Sequence, residues 1–271
     1  MKPRIWLLVV VVLGSPLFST QAWAQDDPAV LVPAEPDVVV VNLPTAMRLP
    51  LFKGNFRMTH RFGGNLRNGS FGQQADNLFG LDQGAIIGLE YRMAVTKDAQ
   101  AAFYRSSFGK TIQFYGKYDA LRQRGAMPVS ISGLVSIEGT SNFRSHYAPA
   151  AGVVISRIIG TRAAAYVTPM WVGNTAASVD PNGTRHSTTA VGLGGRLRIA
   201  HSTYIAAEMV LRVRGYAPDE AAYGFSLEKR AGGHTFSLTF TNTFGTTFAQ
   251  LARGGAANSL YLGFNLSRKF Y

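Results

Sequence analysis

The chain has no cysteine. That excludes disulfides, thiolate zinc sites, cysteine nucleophiles and a lipid-modified N-terminal cysteine. Charge is scarce as well, with charged residues at 15% against about 25% in an average soluble domain. Acidic residues are the scarcer sign, 15 against 27 Lys plus Arg for a formal net charge of +12. The basic residues form no run, so nucleic acid is not an expected partner. After residue 24 there is no run of about 18 apolar residues, which excludes a helical membrane span. Phosphate loops, dinucleotide fingerprints and a G-x-S-x-G elbow are missing too. What is present is 29 glycines and 46% hydrophobic residues, a composition that fits a membrane β protein.

Lys2 and Arg4, the apolar stretch from Ile5 to Leu13, and the small residues Ala22 and Ala24 around Trp23 read as a secretory signal peptide over residues 1–24, cleaved before Gln25. Residues 25–53 carry Pro28, Pro33, Pro36, Pro44 and Pro50, spacing that rules out a long helix or a central strand. This segment is expected to be a Pro-rich periplasmic extension. Its Val38 to Val41 run would be either a short edge strand or a patch docked near the mouth of the domain that follows.

From Gly54 onward the dominant period is two, the mark of strands with one apolar and one polar face. Ile87, Leu89, Tyr91 and Met93 alternate with Gly88, Glu90 and Arg92; Val191, Leu193, Leu197 and Ile199 with Gly192, Gly194, Arg196 and Arg198; Ile205, Ala207, Met209, Leu211 and Val213 with Tyr204, Glu208, Arg212 and Arg214. Such strands run to about ten residues, the length a tilted membrane strand needs. Counting the weaker segments gives an all-β, antiparallel transmembrane β-barrel of about twelve strands over residues 54–271. Long connections at 63–83, 173–186 and 245–258 alternate with short ones, as at His201 and Ser202. That is the asymmetry of outer loops and periplasmic turns, with a short connection near Ser106 to Gly109 as an exception. A soluble β-sandwich would alternate too, but its polar faces would not need so many arginines.

The last strand places Phe264, Leu266 and Phe270 on one face and ends on Tyr271. An amphipathic terminal strand closing on an aromatic is a signal for the barrel assembly machinery of the outer membrane. NLPTA at Asn42 to Ala46, THRFGG at Thr59 to Gly64, FGLDQGA at Phe79 to Ala85 and LYLGFNLSRKF at Leu260 to Phe270 resemble an uncharacterised family of bacterial outer-membrane β-barrel proteins. The resemblance implies a barrel in the outer membrane and carries no activity with it.

No two of the five histidines stand at a metal-ligand spacing, so neither metal nor cofactor is expected. His60 shares a face with Phe56, Met58 and Phe62, which suits a structural place at the membrane rim. The informative set is basic. On expected inward faces lie Arg57, Arg61, Arg92, Lys117, Arg162, Arg196, Arg198, Arg212 and Arg214, against Glu90, Asp119, Glu138, Glu208 and Glu228. Such a lumen is either an Arg and Glu ladder bracing the wall or a positive lining that favours anions. The leading expectation is a non-enzymatic channel for small anionic solutes, with Arg92, Lys117, Arg196, Arg198, Glu208, Arg212 and Arg214 as lumen candidates and outer-membrane lipids around it. The alternatives are a plugged structural or adhesive barrel that binds a partner through its outer loops, and an outer-membrane hydrolase using His146 or His186. The apolar residues of the first long loop, Phe71, Leu78, Phe79 and Leu81, would fold into the lumen or pack on the rim.

Overall fold

The computed structural model describes residues 34–176, 186–218 and 220–270. Ala22, Ala24 and Tyr271 lie outside them, and with them the expected cleavage site and final aromatic. Twelve strands close into one antiparallel barrel: β1 (Gly54–Asn65), β2 (Ala85–Ala94), β3 (Ala99–Ser106), β4 (Ile112–Leu121), β5 (Ser130–Gly139), β6 (Ser145–Ile159), β7 (Ala163–Val172), β8 (Thr188–Ala200), β9 (Thr203–Gly215), β10 (Ala222–Ala231), β11 (His234–Thr241) and β12 (Tyr261–Phe270). Each strand pairs with its neighbours in sequence, and the first and last strands meet in register from Gly54↔Phe270 to Arg61↔Gly263. Closure leaves no unpaired sheet edge, the condition for a sheet to stand in lipid. Among the described residues no helix is long and apolar enough to cross a membrane.

The period-two pattern becomes two surfaces. Ile87, Leu89, Phe103, Phe114, Leu193, Ile205, Phe225 and Leu238 stand exposed on the outside, while Glu90, Arg92, Lys117, Arg196, Glu208 and Glu228 are buried inside. Phe264, Leu266 and Phe270 face out from β12, with Asn265, Ser267 and Lys269 turned in. His60 stands on the outer face, its ring stacked on Phe264 with centroids 4.8 Å apart.

The odd-numbered connections, which include the two longest, share one end of the barrel; the turns between even and odd strands share the other with the start of β1 and the end of β12. We call these the loop end and the terminal end. The first long loop packs on the rim and not into the lumen: Phe71, Leu78, Phe79 and Leu81 are exposed. Gly64 and Gly80 make the contact. A β-carbon on Gly64 would come within 2.2 Å of the Gly80 α-carbon, so the glycines of THRFGG and FGLDQGA let two backbones touch.

The major departure from expectation is at the N-terminus. Residues 34–46 and Leu49 are buried inside the barrel, so this part of the expected periplasmic extension is a lumen plug. Its Pro-rich sequence makes a tight reversal, bridging Val39 to Pro44, with Val40 N–H donating to the Leu43 carbonyl at 2.8 Å and Thr45 N–H to that of Val38 at 3.0 Å. From the loop end, the β11–β12 connection sends in a second element. Its helix Phe248–Arg253, capped by Thr247 and Gln250, buries every residue from Phe248 to Ala252. Val40 and Leu43 of the plug join Phe248 and Leu251 of this helix in one apolar cluster with Tyr166, Met170, Val154 and Val210 of the wall.

The plugged lumen as candidate functional site

Successive backbone N–H groups in a tight turn form a concavity that attracts an anion. The NLPTA turn does this around Glu208. That carboxylate accepts the main-chain N–H groups of Val41 at 3.0 Å, Asn42 at 2.9 Å and Leu43 at 2.9 Å, and the Asn42 side-chain amide at 3.0 Å. A buried carboxylate is tolerable when its lone pairs are satisfied in this way.

The carbonyls of the same segment point to cations. Arg196 donates to Val39 O at 2.7 Å and Val40 O at 3.1 Å, while its guanidinium also grips Glu228 at 2.8 and 3.1 Å. Lys117 donates to Thr45 O at 3.1 Å and Met47 O at 2.7 Å, with Asp119 at 3.1 Å. Lys269 reaches the Pro36 carbonyl. Arg61 donates to Asn42 Oδ1 at 3.1 Å and Asn265 Oδ1 at 2.9 Å, and Asn265 returns a bond to Val41 O at 2.8 Å. Ser267 holds Asp37 at 2.8 Å. Thr235 of β11 donates to Pro36 O at 3.4 Å, Gln100 of β3 donates to Met47 O at 3.0 Å, and Ser156 of β6 accepts Ala46 N–H at 3.0 Å, so eight strands, β1, β3, β4, β6, β8, β9, β11 and β12, bind the one segment from Pro36 to Met47.

The wall is shaped for this occupant. A β-carbon at Gly192 would lie 2.8 Å from both Leu43 methyls, one at Gly194 3.2 Å from Val40 Cγ2, and one at Gly224 3.4 Å from Val41 Cγ1. Gly192 and Gly194 of GLGGR therefore make room for the plug, whereas Gly195, which follows them, faces outward with nothing within 4 Å.

The sequence-based lumen set divides. Arg92, Lys117, Arg196 and Glu208 are buried in the interior. Arg92 spends its charge on Glu90 at 2.9 Å, which also binds Arg57 at 2.8 Å, and lies 5.1 Å from the Tyr115 ring centre. Arg198 is half-buried at the terminal rim, and Arg162 is exposed in the turn before β7. Arg212 is half-buried near the loop end and donates to the Arg253 carbonyl, tying down the loop helix; Arg214 is exposed. These four are corrections to the expected lining. A register shift at Thr189/Ala190 opposite Arg212 and Arg214 marks where β9 leaves the regular ladder. Lys269, in phase with Asn265 and Ser267 on β12, is a further lumen cation outside the expected set. The buried cations of the wall are then Arg57, Arg61, Arg92, Lys117, Arg196 and Lys269, against Glu90, Asp119, Glu138, Glu208 and Glu228. Six against five is far closer to balance than the expected lining.

The loop helix meets the wall by similar means. Glu138 accepts Ala249 N–H at 3.3 Å, Gln250 donates to Thr111 at 3.0 Å, and Arg253 donates to Thr175 O at 2.6 Å. His146 is exposed, and His186 stacks on Tyr216 with ring centres 5.6 Å apart. Among the described residues no group of three His, Asp or Glu side chains is placed to hold a metal.

Residues 37–270 match a family described as "Membrane bound beta barrel domain (DUF5777)". No curated protein matches. Among solved structures, the NanC porin aligns with TM-score 0.53 at 10% identity, over 80% of this chain and 99% of that one. The outer membrane protein Omp33 of Acinetobacter baumannii aligns with TM-score 0.42 at 8% identity, over 81% and 98%. LpxR from Salmonella typhimurium aligns with TM-score 0.38 at 9% identity, over 80% and 100%. At such identity the NanC likeness shows a porin-like barrel fold.

Proposed function

Because this chain belongs to the family of membrane-bound β-barrel domains matched over residues 37–270, and has a porin-like fold, we propose that it is an outer-membrane channel for small anionic solutes, held closed at rest by its own N-terminal segment. One observation carries the reading. The lumen cations Arg196, Lys117 and Lys269 are turned onto main-chain carbonyl oxygens of the plug, and Arg61 onto its Asn42 side chain. Withdrawal of the segment would turn those donors toward the lumen, where anionic oxygens can take the place of the carbonyls. Hydrogen bonds and packing hold the segment inside the lumen, and the chain leading into β1 at Gly54 tethers it to the wall.

Planar-bilayer recording of the full chain tests this. The wild type should be closed for most of the record, and Glu208→Ala, which removes the acceptor of three plug amides, should raise the open fraction with an anion-favouring reversal potential under a salt gradient. A Val41→Cys/Gly224→Cys pair should lock the channel shut until a reductant is added. A folded Glu208→Ala barrel that never conducts would make the interior a permanent brace.

A second reading, a plugged barrel that binds a partner through its outer loops, is favoured by the exposure of Phe71, 79%, on the rim of the first loop. Replacing Phe71 and Leu78 with Ser should then abolish partner binding while leaving conductance untouched.

A further inference from the structure

The outer wall is apolar over most of its height, and three of its basic residues at the terminal end stand together on adjacent strands, apart from Arg157 on β6. Lys229 on β10, His234 on β11 and Arg268 on β12 all occupy outward positions. His234 pairs directly with Arg268, and Lys229 pairs with Phe236, whose ring lies 6.1 Å from that of His234. Lys229 and Arg268 each stand two residues from the end of their strand, which is the depth of the headgroup layer. Among the described residues no acidic side chain offsets them on this face. The carboxylates of β9 and β10, Glu208 and Glu228, are buried in the lumen, and β8, β11 and β12 contain neither Asp nor Glu.

Two grooves open in the outer wall of the same strands, the smaller reaching Lys229 of the basic rim and the larger lying nearer the middle of the barrel. One, of about 410 Å³, is lined by Leu227, Phe236, Leu238 and Phe264, with Lys229 at its head. The other, of about 610 Å³, is lined by Leu197, Ile205, Phe225, Leu227 and Phe240. Its floor is low because Gly195 pairs with Ala207, two small residues in adjacent strands. Leu227 is the ridge shared by both grooves.

We propose that this face of β8–β12 is a binding site for one anionic diacyl phospholipid of the leaflet at the terminal end. Its phosphate lies among Lys229, His234 and Arg268, and its two acyl chains lie in the two grooves on either side of Leu227. Three observations select that occupant: the uncompensated positive charge at headgroup depth, the apolar lining directly below it, and the pairing of two grooves with one basic head. A partner helix or a second copy of the chain would need the grooves but not the charge.

The test uses the delipidated full chain in detergent, titrated with dioleoyl phosphatidylglycerol or with phosphatidylcholine of the same chains and followed by native mass spectrometry. One phosphatidylglycerol should be retained about 25-fold more tightly than phosphatidylcholine, since Lys229 and Arg268 each contribute about a fivefold gain near the surface. Lys229→Gln/Arg268→Gln should erase that preference, and Lys229→Gln alone should halve it in logarithmic terms. Ala207→Trp, filling one groove from the outside, should weaken both lipids. Heat-dependent gel mobility shows that each variant remains a barrel. Equal retention of the two lipids, a preference that survives both substitutions, displacement by millimolar inorganic phosphate, or a dimer in place of the lipid adduct would each overturn the proposal.

Discussion

Glu208 on β9 receives the main-chain N–H of Asn42 on both of its carboxylate oxygens, at 2.9 Å each. A residue 166 positions away in sequence is thereby fixed to the barrel wall through its backbone. The bond depends on the turn's shape more than on its side chains, so the wall recognises a conformation.

Removing that acceptor leaves buried amides without a partner, and each such group costs about 1–3 kcal/mol. Glu208→Ala should therefore accelerate hydrogen exchange at Val41, Asn42 and Leu43 by at least tenfold while the β-ladder amides keep their protection. Unchanged exchange in the 38–47 peptide would show that the plug is held by its other contacts.

Room for the plug can be withdrawn from the wall side. At Gly192 a larger side chain meets the Leu43 methyls, whereas Gly195 faces open space. Gly192→Leu should expel the 38–47 segment or cost about 1–3 kcal/mol of overpacking, and Gly195→Ala should leave the lumen as it is. The contrast is measured by exchange in the same peptide and by the urea midpoint of the refolded barrel.

Arg196 and Glu228 are a buried pair joined by two hydrogen bonds. Arg196→Met leaves the buried Glu228 carboxylate without its cation, with the Ser226 hydroxyl still donating to it at 3.2 Å, a loss of about 3–5 kcal/mol. Arg196→Met/Glu228→Gln should recover a large part of it. Urea unfolding of the two single variants and the double variant gives the coupling directly, and additive losses would show that the pair does not act as a unit.

At the loop end, Gly80 has φ +90°, and a β-carbon there would come within 2.7 Å of the Gly64 α-carbon. Gly80→Ala should release residues 66–84 from the rim, seen as faster exchange there, with no change in the barrel's unfolding midpoint. If exchange in the loop is unaltered, the Gly64–Gly80 contact is not what holds it.

The wall was legible from the chain because a period of two is local: each strand states its own faces, and those of β2, β8 and β9 came through over most of their length. The plug was not, because nothing near Asn42 in sequence signals Glu208. Val38 to Val41 amid prolines has the composition of an extended tail, and the Glu208 and Arg196 that bind its backbone come more than 150 residues later. The lining charges split along the same line. Arg196 obeys the ladder and is enclosed, whereas Arg212 and Arg214 sit beyond a register shift and turn to the loop helix or to solvent.

The plug immediately precedes β1, yet its principal holders, Arg196, Glu208, Asn265 and Lys269, belong to the last five strands. The part of the domain made first is consequently the part satisfied last, and the seam between β1 and β12 must close around it. Barrel closure and the filling of its interior are then a single cooperative event, in which the chain's own leading segment serves as the mandrel on which the wall is completed.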